Sequence, residues 1–375
     1  MYSNIKISNI IKAVSLMCAL LTLLFSVSCG DVENENTPSN ETEVETSNQG
    51  KIKYNTAKFG NPISPNDTPD PFITYDAETG YYYALHTQVD RIELYRHKHA
   101  ADVFTEGERK ELCRANGENN IWGDVWAPEM HRAPDGKWYV YSSSRIAEED
   151  SGKQLFVLGS LTSDPFGEWE FKGRPTSNIF SIDPTIYTAD DGTQYMCYSK
   201  YDSRYGQVLE IAKMKNPYTC ESGVMIARAE LEWELVEPCV GTQAIIEGAF
   251  FLESGDRLFL IYSANGFWTV HYALGVLEYI GGDFCSPESW KKHPEPLLSY
   301  GNGVYGPGHA SFFHSPDGTE VWCAYHGMRN PNKTVDYVPR YCHLQKVEFD
   351  ESGYPIMGKP VGYGKATLPP SGEIK

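Results

Sequence analysis

Apolar residues in this chain come in short runs, and five of those runs repeat one pattern. A small or polar lead-in is followed by an apolar strand, a turn containing glycine, and a second strand rich in aromatics. The copies are PDPFITYDAETGYYYALHT from Pro69, WAPEMHRAPDGKWYVYSSS from Trp126, IDPTIYTADDGTQYMCYSK from Ile182, IEGAFFLESGDRLFLIYSA from Ile246 and GPGHASFFHSPDGTEVWCAYHG from Gly306. Their turns are Glu78-Thr79-Gly80, Asp135-Gly136, Asp191-Gly192, Ser254-Gly255-Asp256 and Asp317-Gly318. Each carries the residue that accepts the positive φ of a tight hairpin. Further strands are expected between the copies, as at Gln154–Gly159 and Val208–Met214. The pattern returns every roughly 55–65 residues, which suits one propeller blade with generous outer strands. A β-sandwich would need five similar hairpins to be coincidence. The expected fold is therefore all-β, one five-bladed β-propeller over residues 52–375.

One apolar run stands outside this pattern. Ala13–Val27 follows Lys6 and Lys12 and leads into Ser26-Val27-Ser28-Cys29-Gly30. A basic start, a short apolar segment and a small-residue site describe a secretory signal. Cys29 after that site resembles a bacterial lipobox, with Ser26 where leucine is usual. Residues 1–29 are thus expected to be a lipoprotein-type signal peptide with Cys29 lipidated, with ordinary secretion as the alternative. Residues 30–51 are acidic and almost free of large apolar side chains, so they read as a disordered tether. That stretch also resembles surface-export signals of Gram-negative lipoproteins. The expected location is the outer membrane or cell surface, with the periplasm as fallback, and the membrane is met only through the lipid.

Composition narrows the chemistry. A formal net charge of −18 argues against nucleic acid, which needs a positive surface. Twenty-five tyrosines, sixteen phenylalanines and eight tryptophans suit strands and also suit stacking on sugar faces. Beyond the leader the cysteines are 113, 197, 220, 239, 285, 323 and 342, with no CxxC spacing for zinc. Their odd number leaves at least one thiol free in a monomer. Cys197 and Cys323 lie in strand-like runs and are expected to be small buried hydrophobes. No Walker loop, HExxH helix or GxSxG elbow offers a rival chemistry.

Propeller geometry gives the lead-ins a common destination, because the innermost strand of each blade begins near the central axis. The five lead-ins supply Asp70, Glu129, Asp183, Glu247 and His309. Three acids stand against rigid or small neighbours, in Pro69-Asp70-Pro71, Ile182-Asp183-Pro184 and Glu247-Gly248. Taken singly, Asp-Pro is a common turn initiator. Three acids converging on one axis change that reading. Glu247 is the most telling of them, since a carboxylate inside AIIEGAFF is costly unless paired, solvated or protonated.

With these residues in place, the chain resembles glycoside hydrolase family 43. The matching stretches are NPISPNDTPDPFI, DVWAPEMH, LTSDPFGEW, SIDPTIYTADDG, IIEGAFF, SANGFWTVHYALGVL and VYGPGHASFFHSPDG. The resemblance implies Asp70 as general base, Asp183 as the residue tuning pKa and orientation, and Glu247 as general acid. It also implies Trp126 lining the sugar pocket and Arg340 contacting the innermost sugar and lowering the pKa of Asp70. His309 corresponds to a histidine near the axis that can hold calcium or another ion, largely through waters. No cofactor is implied for the chemistry itself. Glu129 is expected to be structural, and His326 belongs either to the core or to the pocket.

The physical reading agrees with an inverting glycosidase, which needs one protonated carboxyl and one carboxylate with room for a water between them. Ile245, Ile246 and Phe250 are expected to desolvate Glu247, and the charge of Asp183 to push its pKa further up. SANGFWTVHYALGVL and GVYGPGHASFFHSPDG look most like the branches that remove α-L-arabinofuranosyl units from plant arabinan or arabinoxylan. Glu247-Gly248-Ala249 departs from their more usual Glu-Gly-Pro. A β-xylosidase, or a member acting on galactan or galactofuranosides, is the alternative within the family. A retaining fructan-cleaving propeller and a surface sugar-binding propeller without hydrolysis are the rivals outside it. The stretch Lys98–Gly123 is a candidate for closing one end of the pocket.

Overall fold

The computed structural model of the chain describes residues 43–44, 52–149, 152–176, 179–330 and 338–375. The leader with Cys29 and nearly all of the tether lie outside the described residues. From Phe72 onward the strands build five consecutive antiparallel sheets. The innermost strands are Phe72–Asp76, Trp126–Arg132, Ser181–Thr188, Ile246–Ser254 and Tyr305–His314. Each turns through a short hairpin into the second strand of its own blade. The five turn glycines anticipated above all have positive φ, from +57° at Gly255 to +81° at Gly192. In three of these turns an aspartate fixes the bend: Asp135, Asp191 and Asp317 each accept the amide two residues on. The inner strands neighbour one another in sequence order, and the fifth packs on the first, closing the ring.

Hydrophobic burial lies in the seams between blades. Ile73 and Tyr82 of the first blade meet Phe313, Trp322 and Leu344 of the fifth. Tyr139 and Tyr141 meet Met196 and Tyr198 across the second seam. Leu209 and Ile211 meet Leu260 and Tyr262 across the third. Because both faces of each sheet are covered, strands such as Val321–Met328 are buried almost throughout. Burying one such side chain contributes roughly 1.5–3 kcal/mol. The seams therefore carry the stability, and the axis is free to be polar.

Both chain ends fold over the seam between the fifth and first blades. Phe59–Gly60 pairs with Ala366–Thr367, and Tyr54 bridges to Ile374. The Asn61 side chain donates to Leu344 O (2.7 Å) and accepts from Leu344 N (2.8 Å), capturing a strand of the fifth blade. At the other end, the buried Glu373 carboxylate accepts from the Ala100 amide of the first blade (2.9 Å) and from Asn55 (3.0 Å).

Two expectations change here. Lys98–Gly123 does not form a flap: it supplies the outer strand Glu108–Arg114 of the first blade and the connections around it. The cysteines go further than the parity argument, since all seven of the described ones are unpaired, with Cys197 and Cys323 wholly buried in seams.

Candidate active site

Every lead-in makes the same backbone move. One residue takes a left-handed conformation as the chain drops into its inner strand: Asp70 (φ 52°), Ala127 (φ 43°), Asp183 (φ 54°), Gly248 (φ 55°) and His309 (φ 48°). In blades two to five the strand register shifts across that residue, as it does at a β-bulge. Four of the five are not glycine, so each stores strain that the surrounding sheet must hold. The repeat also corrects the alignment of the lead-ins. Glu129 lies two positions past the left-handed Ala127, inside the strand, and Glu247 lies one position before the left-handed Gly248. Glu129 pairs with His131 Nε2 (2.8 Å), and its charge is among the influences that raise the Asp183 pKa.

Asp70, Asp183, Glu247 and His309 are brought together. Acceptor or donor atoms of Asp183, Glu247 and His309 lie within 4.8 Å of one another. His309 Nδ1 also lies 3.3 Å from Asp70 Oδ1, so the histidine links the two ends of the group. Gly248 makes the cluster possible. Its amide donates to Asp183 Oδ2 (3.1 Å), and a Cβ at this position would sit 2.9 Å from the His309 ring. Left-handed φ and close approach both require glycine here.

Asp70 is held by donors. Arg340 Nη1 donates to Oδ1 (2.9 Å) and Thr87 Oγ1 donates to Oδ2 (2.7 Å), while the Asp70 amide donates to His326 Nδ1 (3.2 Å), which also lies 3.2 Å from Oδ1. Burial by itself would raise the Asp70 pKa, but the Arg340 guanidinium, with the two imidazoles, holds it well below the usual carboxylate range. The rings themselves are kept neutral by burial, His326 being pushed down to about 4. Arg340 is thus the permanent cation, as expected, and its other face covers the Phe267 ring at 4.1 Å.

Glu247 is treated in the opposite way. Burial is the largest influence and pushes its pKa up to about 7, and the Asp70 charge adds to this. Tyr272 donates to Oε1 (3.0 Å) and Gln207 to Oε2 (3.1 Å), which limits the rise without cancelling it. Asp183 is pushed up as well, first by burial and then by Glu247. Two buried carboxyls so close cannot both ionise freely, so their protons belong to the pair. The apolar neighbours expected to desolvate Glu247 act only in part. Ile246 packs in the seam between blades three and four, and Phe250 joins the opposite core cluster.

Trp126 meets Asp70 only indirectly. It is half-buried under Lys153, whose Nζ lies 4.1 Å from the ring centre, and the next amide, Ala127 N, donates to Thr87 Oγ1 (2.8 Å). Three contributors were not singled out in advance: Thr87, Gln207 and Tyr272, of which Tyr272 alone had a signal, inside the SANGFWTVHYALGVL stretch. His326, left open between core and pocket, is fully buried and lies against Asp70. A separate cavity is lined by His131, Ile186, Phe250, Leu252, Phe312 and His314, from later parts of the inner strands, and includes none of the three acids.

A ring of five blades thus carries two oppositely poised carboxyls at its axis. The model described as "Glycosyl hydrolases family 43" matches residues 59–355. The chain belongs to that family. It is a glycoside hydrolase, an enzyme that hydrolyses glycosidic bonds. Among family-43 relatives, an extracellular exo-α-(1→5)-L-arabinofuranosidase of Streptomyces chartreusis is 34% identical over 286 residues, covering 73% of this chain and 83% of the relative. An α-L-arabinofuranosidase B of Pyricularia oryzae is 29% identical, covering 81% of this chain and 65% of the relative. The crystal structure of an α-L-arabinofuranosidase from Lactobacillus brevis superposes with a TM-score of 0.73 at 25% identity. That match covers 82% of this chain and 98% of the other.

Proposed function

We propose that this family-43 enzyme is an inverting, exo-acting α-L-arabinofuranosidase, removing terminal arabinofuranosyl units from plant arabinan or arabinoxylan or from their oligosaccharides. The observation that carries the reaction type is the contrast within one pocket, with Asp70 kept ionised by Arg340 and Glu247 kept protonated by burial. In this reading Asp70 accepts a proton from water as the water oxygen bonds to the anomeric carbon. Glu247 gives its proton to the departing oxygen as the glycosidic bond breaks, and the product emerges with inverted configuration. Asp183 keeps the acid's proton on the pair and, through the Gly248 amide, fixes the position of the segment bearing Glu247. Arg340 serves twice, holding Asp70 and presenting a charged donor to sugar hydroxyls. Trp126 is assigned to the wall of the sugar pocket. Both relatives support the choice of sugar, and the exo-acting Streptomyces relative supports the exo mode.

The chemistry proposed here uses no metal. Calcium prefers six to eight oxygen ligands. A cation bound directly by Asp183, Glu247 and His309 would also displace the proton that Glu247 must donate, so this donor set fits a direct site poorly. His309 is assigned to holding Asp70 and to the floor of the sugar pocket, and an ion held beside it largely through waters stays part of the proposal. Export fits relatives named extracellular, and anchoring through a lipid on Cys29 remains part of the proposal.

The deciding experiment is a screen of nitrophenyl glycosides and of plant arabinan and arabinoxylan, with proton NMR of the first product anomer. Release of arabinose with inversion, lost in Glu247→Gln, is the expected result. Xylose as the main product would favour the β-xylosidase reading. Sugar binding without release by the wild type would favour a non-catalytic propeller.

A further inference from the structure

One loop touches Glu247 directly and the arginine that grips Asp70, and it displays a bare indole between those two contacts. It runs from Asn265 to Tyr272, between the second and third strands of the fourth blade. Its base is rigid. Asn265 is fully buried with φ 73°, its side chain donating to Trp233 O (2.8 Å) and His271 O (2.9 Å) and accepting from Val236 N (3.2 Å). At one end Tyr272 donates to Glu247. Before it, the Phe267 ring lies under the Arg340 guanidinium that grips Asp70. Between them Trp268 is 48% exposed, the one exposed tryptophan among the described residues.

The indole is nevertheless held in place. It meets Phe267 edge to face, with ring centres 5.1 Å apart at 88°. Its six-membered ring also covers Gly266 so closely that a Cβ there would come within 2.6 Å. Single exposed apolar side chains are ordinary on a surface, but one whose plane is fixed by its neighbours can accept a flat apolar partner at little entropic cost. The C–H face of a sugar ring is such a partner, and Trp loses little entropy in presenting its plane.

We propose that Trp268 is a sugar-binding platform at the mouth of the pocket, taking the sugar unit next to the scissile bond on the leaving-group side. This rests on the exo-arabinofuranosidase reading. The acids are 8% exposed or less, so the unit that is cut off lies deepest, and the exposed indole meets the unit behind it. Phe267 couples the platform to Arg340, so the same loop that seats the leaving sugar also borders the base and the acid.

The test compares Trp268→Ala and Trp268→Phe with wild type on α-linked arabinofuranosyl di- and trisaccharides, together with inhibition by free arabinose, which fills only the innermost position. The expected result for Trp268→Ala is a KM raised about tenfold with kcat changed by less than about threefold, and an unchanged arabinose inhibition constant. Trp268→Phe should recover most of the loss. A tenfold effect corresponds to about 1.4 kcal/mol. Unchanged KM in Trp268→Ala overturns the platform. Equal weakening of oligosaccharide and arabinose binding overturns it too, because the residue would then be shaping the whole loop. Failure of the wild type itself on these sugars instead overturns the arabinofuranosidase reading, visibly before any variant is compared.

Discussion

Asp70 and Glu247 share one pocket and are equally hidden, each 8% exposed, yet their surroundings do opposite work. Asp70 is ringed by donors from Thr87 and Arg340, with two imidazoles set against the same carboxylate. Glu247 has two neutral donors and a second acid within reach. Burial alone would keep both protonated. A single guanidinium, placed on one side only, separates them into a base and an acid. The difference teaches that the two roles are written in the neighbours rather than in the carboxyls.

The strongest way to break the comparison is to neutralise each acid in turn. Asp70→Asn is expected to lower kcat/KM on the order of 10²–10⁴-fold on every arabinoside, since no other group can take the proton from water. Glu247→Gln should lose as much on arabinan but less on nitrophenyl arabinoside, whose leaving group needs little protonation. Equal losses of Glu247→Gln on both substrates would remove the acid assignment.

A smaller change sharpens the base side. Arg340→Gln should move the acid limb of the pH–rate profile to higher pH and cost about 3 kcal/mol of stability in urea unfolding. The sign follows from linkage. The Asp70 pKa is depressed in the folded chain, so its stabilising contribution is present above its ordinary value of 3.8 and is lost as pH falls through the folded value. Without Arg340 that loss begins at higher pH. An unmoved acid limb would mean that the histidines alone hold the charge.

The mildest variant probes the acid side. Asp183→Asn removes the second carboxyl of the coupled pair, so the alkaline limb should move to lower pH where Asp183 is the first of the two to ionise, while the acid limb stays. An alkaline limb that does not move would show that Asp183 contributes no charge when Glu247 titrates.

Much of this architecture was legible because its signals are local. Hairpin glycines and alternating aromatic runs report on residues a few positions apart, and they gave five blades correctly. Asp70, Asp183 and Glu247 were legible because acids beside Pro or Gly stand out from strand sequence. His326 was noticed but not placed, since it sits in the apolar run VWCAYHGM and meets Asp70 only across 256 residues of chain. Thr87 and Gln207 look like ordinary polar positions until neighbouring blades bring them in. The misplacement of Glu129 has a clearer lesson. The left-handed residue is followed by Pro or Ala in all five lead-ins, at Pro71, Pro128, Pro184, Ala249 and Ala310. Aligning on that small or rigid follower, instead of on the acid, would have set Ala127 beside Asp70 and Asp183.

The seam that closes the ring gives Asp70 an unusual dependence. The aspartate leads into the first blade, whereas His309, His326 and Arg340 all belong to the fifth, with 270 residues between Asp70 and Arg340. A partly folded ring with its last blade undocked would therefore carry a carboxyl at position 70 but no base of the right strength. Contacts so distant along the chain are among the last that a folding polypeptide can afford to make. Catalytic competence in this hydrolase is thus a report on completed assembly, and the chain ends clasped over that seam guard its activity as well as its shape.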